Sequence, residues 1–110
     1  MMANEPRFDA QLTPVGSNPP IIEKRQADSR IYTFDCSLVL RPEELAAGAQ
    51  AAPEQGVSVE SVRTRAGRYL EMRVSGGATG GDRFKTHLVD ILLLTTEGQL
   101  GVQVAFKVHP

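Results

Sequence analysis

The last segment of the chain alternates apolar and polar residues more strictly than any other. Between residues 100 and 108 every second residue is apolar: Leu100, Val102, Val104, Phe106 and Val108. Because successive side chains of a β-strand point to opposite faces, this period of two predicts a strand with one buried face. The alternation favours a fold built from sheets.

Three further segments carry the same pattern. In residues 31–40 the alternation places one set of side chains on one face: Tyr32, Phe34, Cys36 and Leu38. In residues 68–75 we expect Leu70, Met72 and Val74 to face inward, with the residues between them outward: Tyr69, Glu71 and Arg73. Residues 57–65 alternate and then drift at Val62, which predicts a strand with a bulge.

The longest apolar segment spans residues 83–96. Both alternating phases are apolar from Leu88 to Leu94. This pattern predicts a central strand that is buried on both sides or bent by a bulge.

The connections between these segments predict turns and a little helix. Ala66 and Gly67 lie between two strands and indicate a tight hairpin turn. In residues 41–48, Pro42 is followed by two glutamates and the segment ends at Gly48, which favours one or two helical turns within a long connection.

Together these segments predict an all-β fold. Six or seven short strands, paired as antiparallel hairpins at 57–75 and 84–108, are typical of an immunoglobulin-like antiparallel β-sandwich. The chain has no tryptophan and one cysteine, so it is not an antibody-type domain.

Residues 1–20 differ from the rest of the chain. They hold four prolines and only scattered apolar residues, which predicts an extended N-terminal arm that adds little to the core of a domain at 21–110. Phe8, Leu12 and Val15 are the candidate partner-binding residues, since they could fill pockets on an adjacent subunit. An unstructured tail is the alternative interpretation.

Composition excludes several classes of function. The 110 residues suit one domain, and a net charge of −1 provides no field that would attract nucleic acid or an anionic membrane. The sequence has no apolar run long enough to span a membrane, and its N-terminus does not resemble a signal peptide. Cys36, placed among apolar residues, is expected to be a buried free thiol, which indicates folding in a reduced compartment.

The glycine-rich stretch at 75–81, SGGATGG, raises the possibility of a phosphate site. A phosphate loop requires lysine and then serine or threonine after its last glycine, and a helix behind it. Here Asp82 and Arg83 follow and the next segment is a strand. We therefore expect a turn between strands and no nucleotide cofactor.

Residues that could support other chemistry are sparse. His87 and His109 are the only histidines and belong to no metal-ligand pattern, so no metal site is predicted, and His87 is expected to be solvent-facing or hydrogen-bonded. A triad of Ser75, His87 and Asp90 has no supporting sequence context, and no catalytic residue is predicted. Asp35 and Asp90 lie in apolar strands and are expected to pair with an arginine: Arg30, Arg63 or Arg73.

Three motifs in order resemble the immunoglobulin-like fibre–tail adaptor, or neck, proteins of tailed bacteriophages. The family's Tyr-x-x-Asp-(aromatic)-Ser-x-x-Leu segment is similar to Tyr32, Asp35, Ser37 and Leu40, with Cys36 at the aromatic position. Its glycine loop resembles residues 75–80, and its TT-x-x-G-(Arg/Gln) turn resembles residues 95–99. The resemblance covers roughly residues 20–108, although the stretch between the last two motifs is longer than usual and the arm is not typical of the family.

The resemblance implies a non-enzymatic virion structural protein assembled in the host cytoplasm. Such a protein would decorate the neck, or collar, or the tail and connect fibres, in contact with other virion proteins and with copies of itself in a ring. A capsid decoration protein is an alternative of the same class. A carbohydrate-binding adhesion module is an alternative of a different class, against which the low aromatic content of 5 % counts.

Overall fold

The structure is a computed structural model that describes residues 8–14, 16–52 and 56–110. These residues form eight β-strands and no helix: β1 (Ala10–Gln11), β2 (Ile21–Arg25), β3 (Ser29–Asp35), β4 (Ala46–Ala51), β5 (Ser58–Arg65), β6 (Tyr69–Ser75), β7 (Lys85–Thr95) and β8 (Gly98–His109). A search of the same residues for a helix able to cross a membrane finds none.

The strands form two four-stranded sheets. Sheet A has the order β1-β3-β6-β5, and sheet B has the order β2-β8-β7-β4. The hairpins β5–β6 and β7–β8 are antiparallel, as predicted, whereas β1 pairs with β3 and β2 pairs with β8 in parallel. The prediction of purely antiparallel sheets is therefore wrong at these two edges, where residues before β3 run alongside strands that lie later in the chain.

The inward faces of both sheets form one core, an arrangement consistent with a β-sandwich. The predicted inward residues of β6 and β8 are buried, except that Leu100 is partly buried against the core: Leu70, Met72, Val74, Val102, Val104, Phe106 and Val108. Tyr32 of sheet A meets Phe106 of sheet B edge to face, with ring centroids 5.4 Å apart. Each large side chain buried here stabilises the fold by about 1.5–3 kcal/mol, so the alternating pattern supplies much of the driving force.

Cys36 is buried at the end of β3, as predicted. Burial is the main cause that raises the pKa of its thiol, to about 12, and the nearby Asp35 carboxylate acts in the same direction. The thiol is therefore protonated at neutral pH, because a thiolate at this buried position would lack hydration.

The alternation predicted for residues 31–40 ends before Leu38. Strand β3 stops at Asp35, and residues 37–40 form a turn in which the backbone N–H groups of Val39 and Leu40 both donate to the Cys36 carbonyl. Leu38 is therefore exposed, and its predicted inward position is wrong.

Glu71 is buried although its place in the alternation puts it on the outer face of sheet A. Its carboxylate accepts from Arg63 Nε at 3.1 Å and Arg65 Nε at 2.8 Å, and these arginines cover it. The pairing of β5 shifts between Glu60 and Arg63, which confirms the predicted bulge. The hairpin turn at Ala66 and Gly67 is also confirmed, since both residues have positive φ, as a tight turn of this kind requires.

The helical turns predicted for residues 41–48 are absent. A turn at residues 42–43 leads into β4, which pairs with β7. The Glu44 carboxylate accepts from the Arg41 backbone N–H at 2.8 Å and from the Thr95 hydroxyl. These hydrogen bonds, the Arg41 one first, hold the pKa of Glu44 below its usual value. Pairing with a neighbouring strand has overridden the local helix propensity here.

The N-terminal segment contributes to the core, contrary to expectation. The Asp9 backbone N–H donates to the Thr33 carbonyl at 2.7 Å, and the Leu12 N–H donates to the Asp35 carbonyl at 2.9 Å. The Leu12 side chain is fully buried in the main hydrophobic cluster. The interpretation of residues 1–20 as an arm outside the core is therefore wrong at Leu12.

Candidate interaction surface

The outward face of sheet B carries four large exposed apolar side chains: Ile21, Phe84, Leu88 and Leu92. We call these four residues the outer apolar face. Ile21 of β2 and Leu88 of β7 both pair with Ala105 of β8, so the three residues form a row across the sheet. Ala105 is only 2 % exposed because the two larger side chains flank it, whereas Ile21 and Leu88 are 62 % and 52 % exposed.

The prediction that the 83–96 segment is buried on both sides is corrected by this face. Strand β7 buries one phase only, which contains His87, Val89, Ile91 and Leu93. The other phase faces outward because the described residues place no second layer over it. The alternative prediction of a bulge in this segment is also wrong, because β7 pairs with β8 from Lys85 to Thr95 without a register shift.

Polar side chains separate the members of the outer apolar face, since Asp90 and Gln103 pair between Leu88 and Leu92. Phe84 packs under Lys107, whose Nζ lies 4.1 Å from the ring centroid, a cation–π geometry. The Gln103 amide donates to the Asp90 carboxylate at 2.8 Å, and His109 Nε2 lies 2.9 Å from Glu23 Oε1. Protein–protein contacts commonly combine large apolar side chains with polar groups.

A groove of about 640 Å³ adjoins the outer apolar face. Leu92 and Gly101 lie on its sheet side, and the segment before β2 contributes Thr13, Pro14 and Ser17. Its volume lies within the range of about 300–1,000 Å³ that is typical of concave binding sites.

The three residues predicted to contact a partner are not brought together as one site. Phe8 is 45 % exposed and adjoins β1. Leu12 is in the core and is not available to a partner, which corrects its predicted role. Val15 lies outside the described residues.

The glycine loop at 76–78 presents carbonyl groups, not N–H groups, to its neighbours. Lys24 Nζ donates to the Gly76 carbonyl at 2.7 Å, and Gln26 Nε2 donates to the Gly77 carbonyl at 3.0 Å. His87 Nε2 lies 2.8 Å from the Ala78 carbonyl. Anion-binding loops direct N–H groups at the ligand, so these carbonyls have the wrong polarity. The loop instead ties the end of β6 to sheet B.

The hydrogen bonds to the loop carbonyls explain why two polar side chains, Lys24 and His87, can be buried. Lys24 is 3 % exposed, and burial is the main cause that lowers its pKa, with the Asp28 carboxylate acting against it. His87 is 9 % exposed and hydrogen-bonded, which agrees with the second of its two predicted states. Gly56 lies against its ring: a Cβ added there would sit 2.1 Å from His87 Nδ1.

The Tyr-x-x-Asp-x-Ser motif forms a structural turn. Ser37 donates to Asp35 Oδ1 from its hydroxyl at 2.6 Å and from its backbone N–H at 2.9 Å. Burial is the largest influence on the pKa of Asp35 and acts upward, but the bonds from Ser37 and Gln11 together hold this pKa below its usual value. The expected arginine partner is wrong for Asp35: the residues that contact it are Ser37 and Gln11, and only the charge of Arg68 acts on it.

The two threonines of the third motif fix the β7–β8 hairpin. The Thr95 hydroxyl donates to the Glu44 carboxylate, and the Thr96 hydroxyl accepts from the Leu45 backbone N–H at 3.0 Å. Both bonds connect the hairpin to the segment that precedes β4. All three motifs that suggested a family therefore occupy structural turns.

The hypothetical triad has no supporting geometry. His87 points inward from β7 and Asp90 points outward from the same strand, where its carboxylate accepts from Gln103. Among the described residues, no group of three or more histidine, cysteine, aspartate or glutamate side chains could hold a metal ion. The outer apolar face is accordingly the feature of the described residues that best suits a functional role.

Comparison with known proteins gives no neighbour. No protein-family model, no curated protein and no solved structure matches the chain significantly.

Proposed function

We propose that this chain is a non-enzymatic structural protein that works by protein–protein contact through the outer apolar face. The observation that carries the proposal is the exposure of Ile21, Leu88 and Phe84 on one face of sheet B. Large apolar side chains that are exposed together on one face of a sheet mark candidate sites of association. The polar pairs between these side chains favour a specific partner over indiscriminate aggregation.

The class of assembly is inferred from the sequence motifs. Their order and type favour an immunoglobulin-like component of a tailed phage virion, at the neck or tail, in contact with fibre or neck proteins and with copies of itself. The turn built on Asp35 and Ser37 and the hairpin tied by Thr95 support this proposal, since the motif residues stabilise one scaffold.

Electron microscopy tests this proposal directly. An antibody raised against the purified chain is applied with gold label to particles released by cells that encode it. Label at the neck or tail, with peptides of the chain detected in the same particles by mass spectrometry, is the expected result. Label over the capsid surface would instead identify a decoration protein, and particles without label or peptide would overturn the virion role. Binding on a glycan array would favour an adhesion module.

A further inference from the structure

Strand β2 covers only part of the edge of β8. Its pairing runs from Ile21 opposite Ala105 to Arg25 opposite His109, and the Ala105 backbone N–H donates to the Pro20 carbonyl at 2.9 Å. Strand β8 begins at Gly98, so its first residues lie beyond this ladder. Pro19 and Pro20 explain the stop, because proline has no N–H with which to continue a ladder.

The uncovered part of β8 turns backbone groups toward this edge. Backbone groups point to alternate sides along a strand, and Ala105 donates toward β2. The N–H and C=O groups of Gln99, Gly101 and Gln103 therefore point the same way, while the residues between them bond to β7. In the part of the chain that the structure describes, no strand pairs with these groups on that side, and all three residues are exposed.

The groove of about 640 Å³ lies at this position, since Gly101 and Gln103 are among its lining residues. The groove extends from this edge over β7 to β4, and the segment before β2 also lines it. A regular row of exposed donors and acceptors beside a groove matches the backbone of an extended peptide, which bonds to such an edge residue by residue. The exposed edges of natural sheets are usually blunted against this kind of pairing.

Edge strand β5 shows such protection elsewhere in the molecule. Its ladder is interrupted between Glu60 and Arg63, and Ser61 has a φ of 55°. A bulge of this type twists an edge away from regular pairing. Residues 99–103 of β8 carry no register shift.

We propose that an extended segment of a partner polypeptide binds as an added strand alongside Gln99–Gln103 of β8. The five residues span about 17 Å, which is sufficient for a short strand. Alternate side chains of the segment would enter the groove beside Leu92, so apolar residues at every second position are favoured. The inference deepens the proposed function, on which it rests only for the identity of the partner as another structural protein.

The test uses the purified chain and a library of random linear peptides as the probe. Gly101→Pro removes the central edge N–H without removing a bond to β7, whereas Gly101→Ala retains this N–H and places its Cβ in open space. We expect selected peptides to bind the wild type and Gly101→Ala equally and to bind Gly101→Pro at least about tenfold more weakly. Equal binding to Gly101→Pro, or no selected peptide, would overturn the proposal.

A second measurement needs no variant and guards against misfolding of Gly101→Pro. Amide hydrogen exchange of Gly101 and Gln103 in the wild-type chain should slow when a selected peptide binds. Unchanged exchange at both amides would contradict strand addition. Because these experiments use the chain alone, their failure is distinguishable from absence of the chain from particles, which would count only against the virion role.

Discussion

The two faces of strand β7 carry similar residues into different environments. Leu93 points inward and is fully buried, whereas Leu92, its neighbour, is 37 % exposed and Leu88 is 52 % exposed. Apolar character therefore does not decide burial on this strand. The inward face is covered by sheet A, whereas the described residues place no second sheet over the outward face. Apolar residues stabilise the fold on the first face and are available for association on the second.

The largest contrast is expected between two phenylalanines of sheet B. Phe106 is fully buried against Tyr32, and Phe106→Ala should lower the free energy of unfolding by about 3–5 kcal/mol. Phe84 is 51 % exposed on the outer face, and Phe84→Ala should cost less than about 1 kcal/mol. Urea denaturation of both variants measures the difference. Similar losses for the two variants would mean that the outer face is covered in the isolated chain.

The buried thiol of Cys36 should make the free energy of unfolding decrease at alkaline pH. The folded pKa of about 12 lies above the ordinary value of 9.0. The stabilising effect is therefore complete below pH 9 and is lost as the pH rises through 12, because the unfolded thiol ionises first. Over this interval the free energy of unfolding of the wild type should decrease by up to about 4 kcal/mol relative to that of Cys36→Ala.

The difference between the two unfolding curves isolates this group, since Tyr32 and Lys24 also titrate in alkali with shifted pKa values. Apart from a constant offset caused by lost packing, the two proteins should respond alike below pH 9. Parallel curves across the whole range would show that the thiol is accessible to water.

Substitution of Leu12 tests whether the N-terminal segment contributes to the core. Leu12→Ala should lower the free energy of unfolding by about 3 kcal/mol, because the side chain is fully buried in the core. Phe8→Ala is the matched control within the same segment, with an expected cost of less than about 1 kcal/mol since Phe8 is half exposed. If thermal and urea melts show that Leu12→Ala is as stable as the wild type, the segment is a passive arm that does not contribute to the core.

The smallest effect on stability is expected on the outer apolar face. Leu88→Thr keeps a residue that suits a strand and should change the free energy of unfolding by less than about 0.5 kcal/mol. It should nevertheless reduce incorporation of the chain into particles, measured by quantitative mass spectrometry. Ile31→Thr is the control, because Ile31 is exposed to a similar degree on β3 of sheet A. Equal incorporation of both variants would exclude the outer apolar face as the contact surface.

Much of the strand content follows from the sequence alone. The period of two located β6 and β8 and named their inward residues correctly, and glycine chemistry located the turn at Ala66 and Gly67. The candidate surface was less accessible to sequence reasoning. Leu88 and Leu92 were recognisable as apolar, but their exposure depends on the position of the other sheet.

The sequence by itself determined the all-β character, the two hairpins and the buried thiol. Each depends on local properties: side-chain alternation, permitted turn conformations and the apolar neighbours of Cys36. Only the tertiary structure decided the parallel pairing of β1 and β2, the conversion of a predicted helical turn into β4, the burial of Leu12 and the exposure of one face of β7. These features depend on contacts between segments far apart in the chain, and a local pattern carries no information about which surface another segment will cover.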